Sequence, residues 1–242
     1  MGSMLIRERY KVARTLRAQR DYALVEAVDI QDRATPVRLL NLYEGELMRR
    51  YGKICAGIRR EDCPAFRGMF LERDALVVAF DDCKGANIDS LFFRGDRWDW
   101  RTRLDYAELV AHHALMLSPL PAEVSCAATL SENLLFDTDK KTVFSRYMLL
   151  PMAPMNGREL AALTGDQIRK IIPRRLSSGK AENAFLDRLE RGEFPSVVTL
   201  YSAWREARKE IQAEREAFDA SNPVSRGLSV LRQGLRRIRM KR

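Results

Sequence analysis

The residues of this sequence with the means to do chemistry are few, and the most suggestive lie between Glu123 and Met148. The octet Cys126-Ala127-Ala128-Thr129-Leu130-Ser131-Glu132-Asn133 holds one acid, Glu132, and one carboxamide, Asn133, and runs directly into Leu134-Leu135-Phe136-Asp137. Other candidates have simpler readings. Asp81 and Asp82 adjoin like an acid–base pair, but in the polar connector Asp81-Asp82-Cys83-Lys84-Gly85 they read as solvated loop charges. His112 and His113 also adjoin, so on a helix they point about 100° apart and do not share a metal. The cysteines Cys55, Cys63, Cys83 and Cys126 form no C-x-x-C pair and read as reduced, partly buried thiols. H-E-x-x-H, G-x-S-x-G and Walker A patterns are absent, so neither a metal site nor a hydrolase is supported.

The elements that must position the octet are readable on both sides. Asn133–Phe136 and Thr142–Phe144 flank the polar turn Asp137–Lys141, which predicts a hairpin. Asp105 to Ser118 predicts an amphipathic helix with Leu109, Ala111, His112, Leu115 and Met116 on one broad face. Upstream, Tyr10–Leu16, Tyr22–Ile30 and Pro36–Leu42 read as strands, and Leu47, Tyr51, Ile54 and Ile58 give Glu46–Arg60 a helical period. Phe66–Leu71 and Ala75–Phe80 then read as a second hairpin. Trp98-Asp99-Trp100 reads as the anchor of a loop or short helix. Downstream, a loop stiffened by Pro151 and Pro154 leads to helices near Gly157–Leu163, Asp166–Ile172, Glu182–Arg191 and Ser196–Phe218, the last with Val198, Leu200, Trp204, Ala207 and Ile211 inward.

The octet resembles the catalytic loop of protein kinases, H-R-D-L-x-x-x-N, with only Asn133 kept. Cys126 stands at the His position and Ala128 at the Asp, where the family has the acid that takes the proton of the attacking hydroxyl. Where D-F-G would supply a metal-holding Asp, the chain has Arg146-Tyr147-Met148, and no acid lies between Asp139 and Glu159. The resemblance extends to the order strand, strand, strand, helix, strand, strand, which is similar to the kinase N-lobe. The V-A-I-K position falls on Val37-Arg38-Leu39-Leu40, so Leu40 replaces the phosphate-pairing Lys, and no Gly occurs from Ser3 to Glu44 to form a Gly-rich loop. Arg38 and Arg20 read as solvated surface charges.

The resemblance implies an α+β, two-lobed kinase-like fold: N-lobe sheet plus one helix over 5–83, a mainly helical C-lobe over 84–222, and a tail over 223–242. The chain has 242 residues, 46% hydrophobic and 31% charged, which suits an ordinary globular protein, and no run approaches the roughly 18 apolar residues of a membrane helix. The N-terminus lacks a signal peptide's apolar segment, and Met1-Gly2-Ser3-Met4 reads as an expression scar with the natural start at Met4. Of the net charge of +9, seven positive charges (Arg226, Arg232, Arg236, Arg237, Arg239, Lys241 and Arg242) lie in the tail, which holds no acid. Leu228, Leu231, Leu235 and Ile238 recur there at helical spacing. Such a segment suits an anionic leaflet, the flank of an adjoining membrane span, or a helix docked on the C-lobe; nucleic acid gains little from the rest of the chain.

Loss of the proton acceptor, the metal-holding acid, the Lys and the Gly-rich loop together implies a pseudokinase. Its expected role is a protein-binding scaffold or allosteric subunit, with no catalytic residues and no cofactor, in the bacterial cytoplasm beside the membrane. The layout is similar to the cytosolic pseudokinase domain of a type VII secretion membrane component. Two alternatives stay open: a nucleotide-binding or atypical phosphotransferase domain, and a nucleic-acid binder acting through the tail.

Overall fold

The computed structural model describes residues 5–34, 36–93 and 95–221. The basic tail, with its candidate anion-binding residues Arg232, Arg236, Arg237, Arg239, Lys241 and Arg242, lies outside them.

The N-terminal half is a six-stranded antiparallel sheet in the order β1-β2-β3-β4-β6-β5. Its strands are β1 (Leu5–Ile6), β2 (Tyr10–Ala18), β3 (Tyr22–Asp29), β4 (Val37–Tyr43), β5 (Phe66–Glu72) and β6 (Ala75–Asp81), with helix α1 (Gly45–Ala56) between β4 and β5. Side chains alternate across the sheet, so each strand feeds two cores. On the outer face, Ile6, Tyr10, Val25, Ala27, Leu40, Val77 and Ala79 pack together. On the inner face, Tyr43, Leu76, Val78 and Phe80 meet Tyr51 and Cys55 of α1 and continue into the helical half through Val124, Ala127, Tyr147 and Leu149. One core thus fuses the sheet to what lies beneath it.

The C-terminal half comprises β7 (Ala86–Asn87), α2 (Ile88–Leu91), α3 (Trp100–Leu117), α4 (Ala122–Thr129), the hairpin β8 (Leu134–Asp137) and β9 (Thr142–Ser145), then α5 (Gly157–Ile171), α6 (Lys180–Glu190) and α7 (Val197–Ala220). The fully buried Trp204 of α7 packs on Phe185 of α6, and its indole N–H donates to Glu108 of α3 at 2.7 Å.

Several boundaries differ from the sequence expectation for physical reasons. Asp99 accepts from the Thr102 amide at 2.8 Å and caps α3, so the helix begins at Trp100, with Asp99 as its cap and Trp98 just outside it. The buried stripe of α3 includes Leu104, Ala107, Val110, Ala114 and Leu117, while His112 and Met116 face solvent, because the helix is packed on more than one side. Thr164-Gly165 does not break α5. The Thr164 hydroxyl donates back to the Leu160 carbonyl at 2.7 Å, and Gly165 makes room for Leu189, whose Cδ2 would lie 3.1 Å from a Cβ there. In α7 it is Val197 that is buried, and Val198 is exposed.

Candidate functional site

The candidate site is the junction between the sheet's inner face and the loop after α4. Its central feature is the segment after β9, residues 146–151, which forms neither helix nor strand and is held from both sides. From above, Asn41 of β4 accepts from the Leu149 amide at 2.8 Å and donates to the Tyr147 carbonyl at 3.0 Å. From below, Asn133 accepts from the Met148 amide at 3.1 Å and donates to the Met148 carbonyl at 3.0 Å and to Ala127 at 2.8 Å. Two aromatic hydroxyls complete the clamp. Tyr43 donates to the Leu149 carbonyl at 2.5 Å and Tyr51 to Leu150 at 3.0 Å, with their rings stacked at 4.1 Å. Phe80 stacks on Tyr147 at 4.8 Å.

Arg146 enters the same space. Its guanidinium makes two bonds to Asp82, at 2.6 and 2.8 Å, and lies 3.6 Å from Glu26 of β3. The Asp82 side chain is 2% exposed. This corrects the reading of Asp82 as a solvated charge, since burial next to a guanidinium fork pairs it. Asp81 is likewise engaged, by Arg38 at 2.8 Å and by Arg67. Arg38 is 1% exposed and also meets Asp32 at 2.5 Å, so it is a buried ionic hub and no surface charge. At the mouth of the junction Arg17 of β2 reaches Glu132 at 3.1 Å, tying the sheet to the octet.

The octet itself is half helix. Cys126 and Ala128 lie in the last turns of α4, both fully buried. Burial pushes the Cys126 thiol up to about 12. The Ala128 carbonyl accepts from the Ser145 hydroxyl at 2.9 Å, which also bonds His113 at 2.7 Å. Burial, with His112 adding, holds His113 down at about 4, so its ring is neutral. Leu40 points to the outer core. The inner face of β4 is Leu39, Asn41 and Tyr43, so the position that looks toward the octet is one residue from the expected Leu40. The site residues missed from sequence are therefore Glu26, Asn41, Tyr43, Tyr51 and Asp82. A carboxamide inside the apolar run Leu39-Leu40-Asn41-Leu42 was a usable signal, because a buried amide demands partners.

No family model matches the chain, and no curated protein matches it in sequence. Solved structures do match. The Mycobacterium tuberculosis PknI kinase domain aligns over 85% of this chain and 98% of that chain, with a TM-score of 0.54 and 12% identity. A double mutant of the same domain gives 0.55 at 11% identity, covering 88% of this chain and 98% of that one. This is a protein kinase-like fold.

In a working kinase cleft, a strand Lys paired with a helix Glu holds the phosphates, and the metal is held by the D-F-G Asp and the catalytic-loop Asn. The residues here do not fit metal-bound triphosphate. The inner face of β4 offers Leu39, Asn41 and Tyr43, none of them charged, and α1 meets it with the aromatic ring of Tyr51. Asn133 has both its donor and its acceptor engaged with backbone. The Arg146 guanidinium is bound to the carboxylate of Asp82 and so brings a positive charge to the same junction. Among the described residues no cluster of three His, Cys, Asp or Glu side chains is placed to hold a metal ion, and no helix is long and apolar enough to cross a membrane.

Proposed function

We propose that this chain is a pseudokinase: a kinase-like fold that acts by holding partner proteins and transfers no phosphate. The observation that carries this reading is the Arg146 guanidinium bound through two bonds to buried Asp82 in the cleft. Phosphoryl transfer depends on positive charge gathered around the phosphates by metal ions held on acids. Here the cleft's own cation is neutralised by the cleft's own acids, and Ala128 offers no proton acceptor.

The reading is tested by thermal unfolding with ATP, with and without Mg²⁺. A ligand at 100 times its Kd stabilises by about 2.7 kcal/mol, or roughly 5 to 10 °C for a chain of this size. The expected shift is none in either condition. Mg²⁺-dependent stabilisation of several degrees overturns the proposal in favour of a nucleotide-binding or atypical phosphotransferase domain.

The same proposal puts the protein beside an anionic membrane in the bacterial cytoplasm, as in a secretion-system scaffold. Its support is the composition of residues 223–242, seven basic residues without an acid. Each basic residue near an anionic leaflet adds about 1 kcal/mol. Flotation with anionic and neutral vesicles, beside gel shifts on RNA and DNA, discriminates. Binding to anionic vesicles that is lost on truncation after Ser221 supports the reading; retention of nucleic acid alone replaces it.

A further inference from the structure

We infer that β2 is a docking strand, and that its partner is an extended acidic segment of another polypeptide added along the edge that no described residue pairs. The inference deepens the scaffold reading and rests on it.

Strand β2 runs from Tyr10 to Ala18, but β1 pairs only with its start, Leu5 with Lys11 and Ile6 with Tyr10. On its other side β3 pairs along its whole length. Among the described residues, nothing therefore pairs the outer edge from Val12 to Ala18. Side chains there are exposed apart from the half-buried Val12 and Leu16. An unpaired strand edge is a row of N–H and C=O groups that a second extended chain can complete, and such addition is a standard mode of peptide recognition.

Charge selects the occupant. From Arg9 to Arg20 the sequence holds five basic residues and no acid. Arg14 and Arg17 are 64% and 53% exposed in their ion pairs with Glu26 and Glu132. Exposed pairs of this kind hold weakly and exchange partners readily. A second copy of β2 is disfavoured, because its arginines would face these arginines across the new ladder. The irregularities between Val12 and Arg14 and between Thr15 and Arg17 set Lys11, Arg14 and Arg17 opposite Val28, Glu26 and Leu24, alternate residues of β3, so the three basic residues share one face. An incoming strand with acids at alternate positions meets the basic side chains while its backbone completes the ladder. Seven residues of edge give about 23 Å of contact.

The test uses the whole chain and a fluorescein-labelled peptide of alternating Glu and Val, seven residues long, read by anisotropy. Three controls accompany it: the same peptide with Lys for Glu, the acidic peptide N-methylated at alternate residues, and the variant Arg14→Glu/Arg17→Glu checked for an unchanged melt. The expected result is binding by the acidic peptide only, weakened at least tenfold by the double substitution, with hydrogen exchange slowed at amides between Val12 and Ala18. Equal binding of the N-methylated peptide shows charge attraction without strand addition and overturns the inference. So does a null result with the acidic peptide, which leaves the ATP test of the cleft unaffected.

Discussion

Arg146 and Asp82 stand 64 residues apart in sequence, and their side chains meet through two hydrogen bonds of 2.6 and 2.8 Å inside the cleft. With Asp82 2% and Arg146 17% exposed, the pair is buried on one side and nearly so on the other. Removing one partner of such a pair leaves an uncompensated charge and costs about 3 to 5 kcal/mol. Residual exposure of Arg146 and its contact with Glu26 put Arg146→Ala near the lower end. Replacing both partners, Arg146→Met with Asp82→Leu, is expected to cost less than half as much. Urea denaturation of the three proteins checks this; a neutral Arg146→Ala would show that the pair does not lock the cleft.

The two asparagines predict a second result. Asn133→Ala strands the Met148 amide and carbonyl in a part-buried site, at about 1 to 3 kcal/mol for each group left unsatisfied, and takes from the Ala127 carbonyl one of its two bonds, the Leu130 amide keeping the other. Asn133→Asp is no remedy, because a carboxylate accepts but cannot donate to those two carbonyls. Both variants are expected to unfold at lower temperature, with hydrogen exchange accelerated first at Met148 and Leu149. An Asn133→Asp protein that melts at the parent temperature would mean that the amide donors are idle.

Much of this was written in the sequence. Strands β3, β4 and β6 alternate or run apolar as strands must, and the apolar runs on either side of the Asp137–Lys141 turn mark the β8–β9 hairpin. What escaped was whatever depended on a distant partner. Asp82 looks like any loop acid until Arg146 is folded onto it, and Arg38 looks like a surface charge until Asp32 and Asp81 surround it. The Leu40 assignment failed to reach the cleft for a simpler reason: side chains alternate in a strand, so a slip of one residue changes the face. Thr164-Gly165 reads as a break between two helices until Leu189 is seen to need the space beside Gly165.

On the pseudokinase reading, placing acids at the two positions that resemble the family's is expected to give no activity. Ala128→Asp with Arg146→Asp supplies both carboxylates of the family pattern, yet the inner face still lacks the Lys, and Asn133 stays committed to Met148. Ala128 is also fully buried at the end of α4, so a carboxylate there is desolvated before it can act. The double variant is expected to show no phosphate transfer to a protein or peptide acceptor, by radiolabelled ATP, and a lower melting temperature than the parent. Transfer above background would mean that only the two acids separate this cleft from an active one.

Stability is expected to depend on pH through His113. Burial holds its folded pKa at about 4, against 6.5 for the free side chain, and its ring nitrogen meets the Ser145 hydroxyl. Between those values the unfolded chain binds a proton that the folded chain refuses. The slope of unfolding free energy with pH is then positive, so stability is gained as pH rises from about 4 to 6.5 and lost as pH falls through the same window. At about 1.4 kcal/mol per unit, the full span is about 3 kcal/mol. Asp29, held below its ordinary value by the hydrogen-bonded Arg9, loses stability with acid too, but only at and below the free carboxylate value of 3.8. The two contributions therefore separate on the pH axis. His113→Gln keeps a polar group opposite Ser145 and removes the titration. Melting temperature measured from pH 4.5 to 7 is expected to slope upward in the parent and to flatten in the variant; parallel curves would place the titrating group elsewhere.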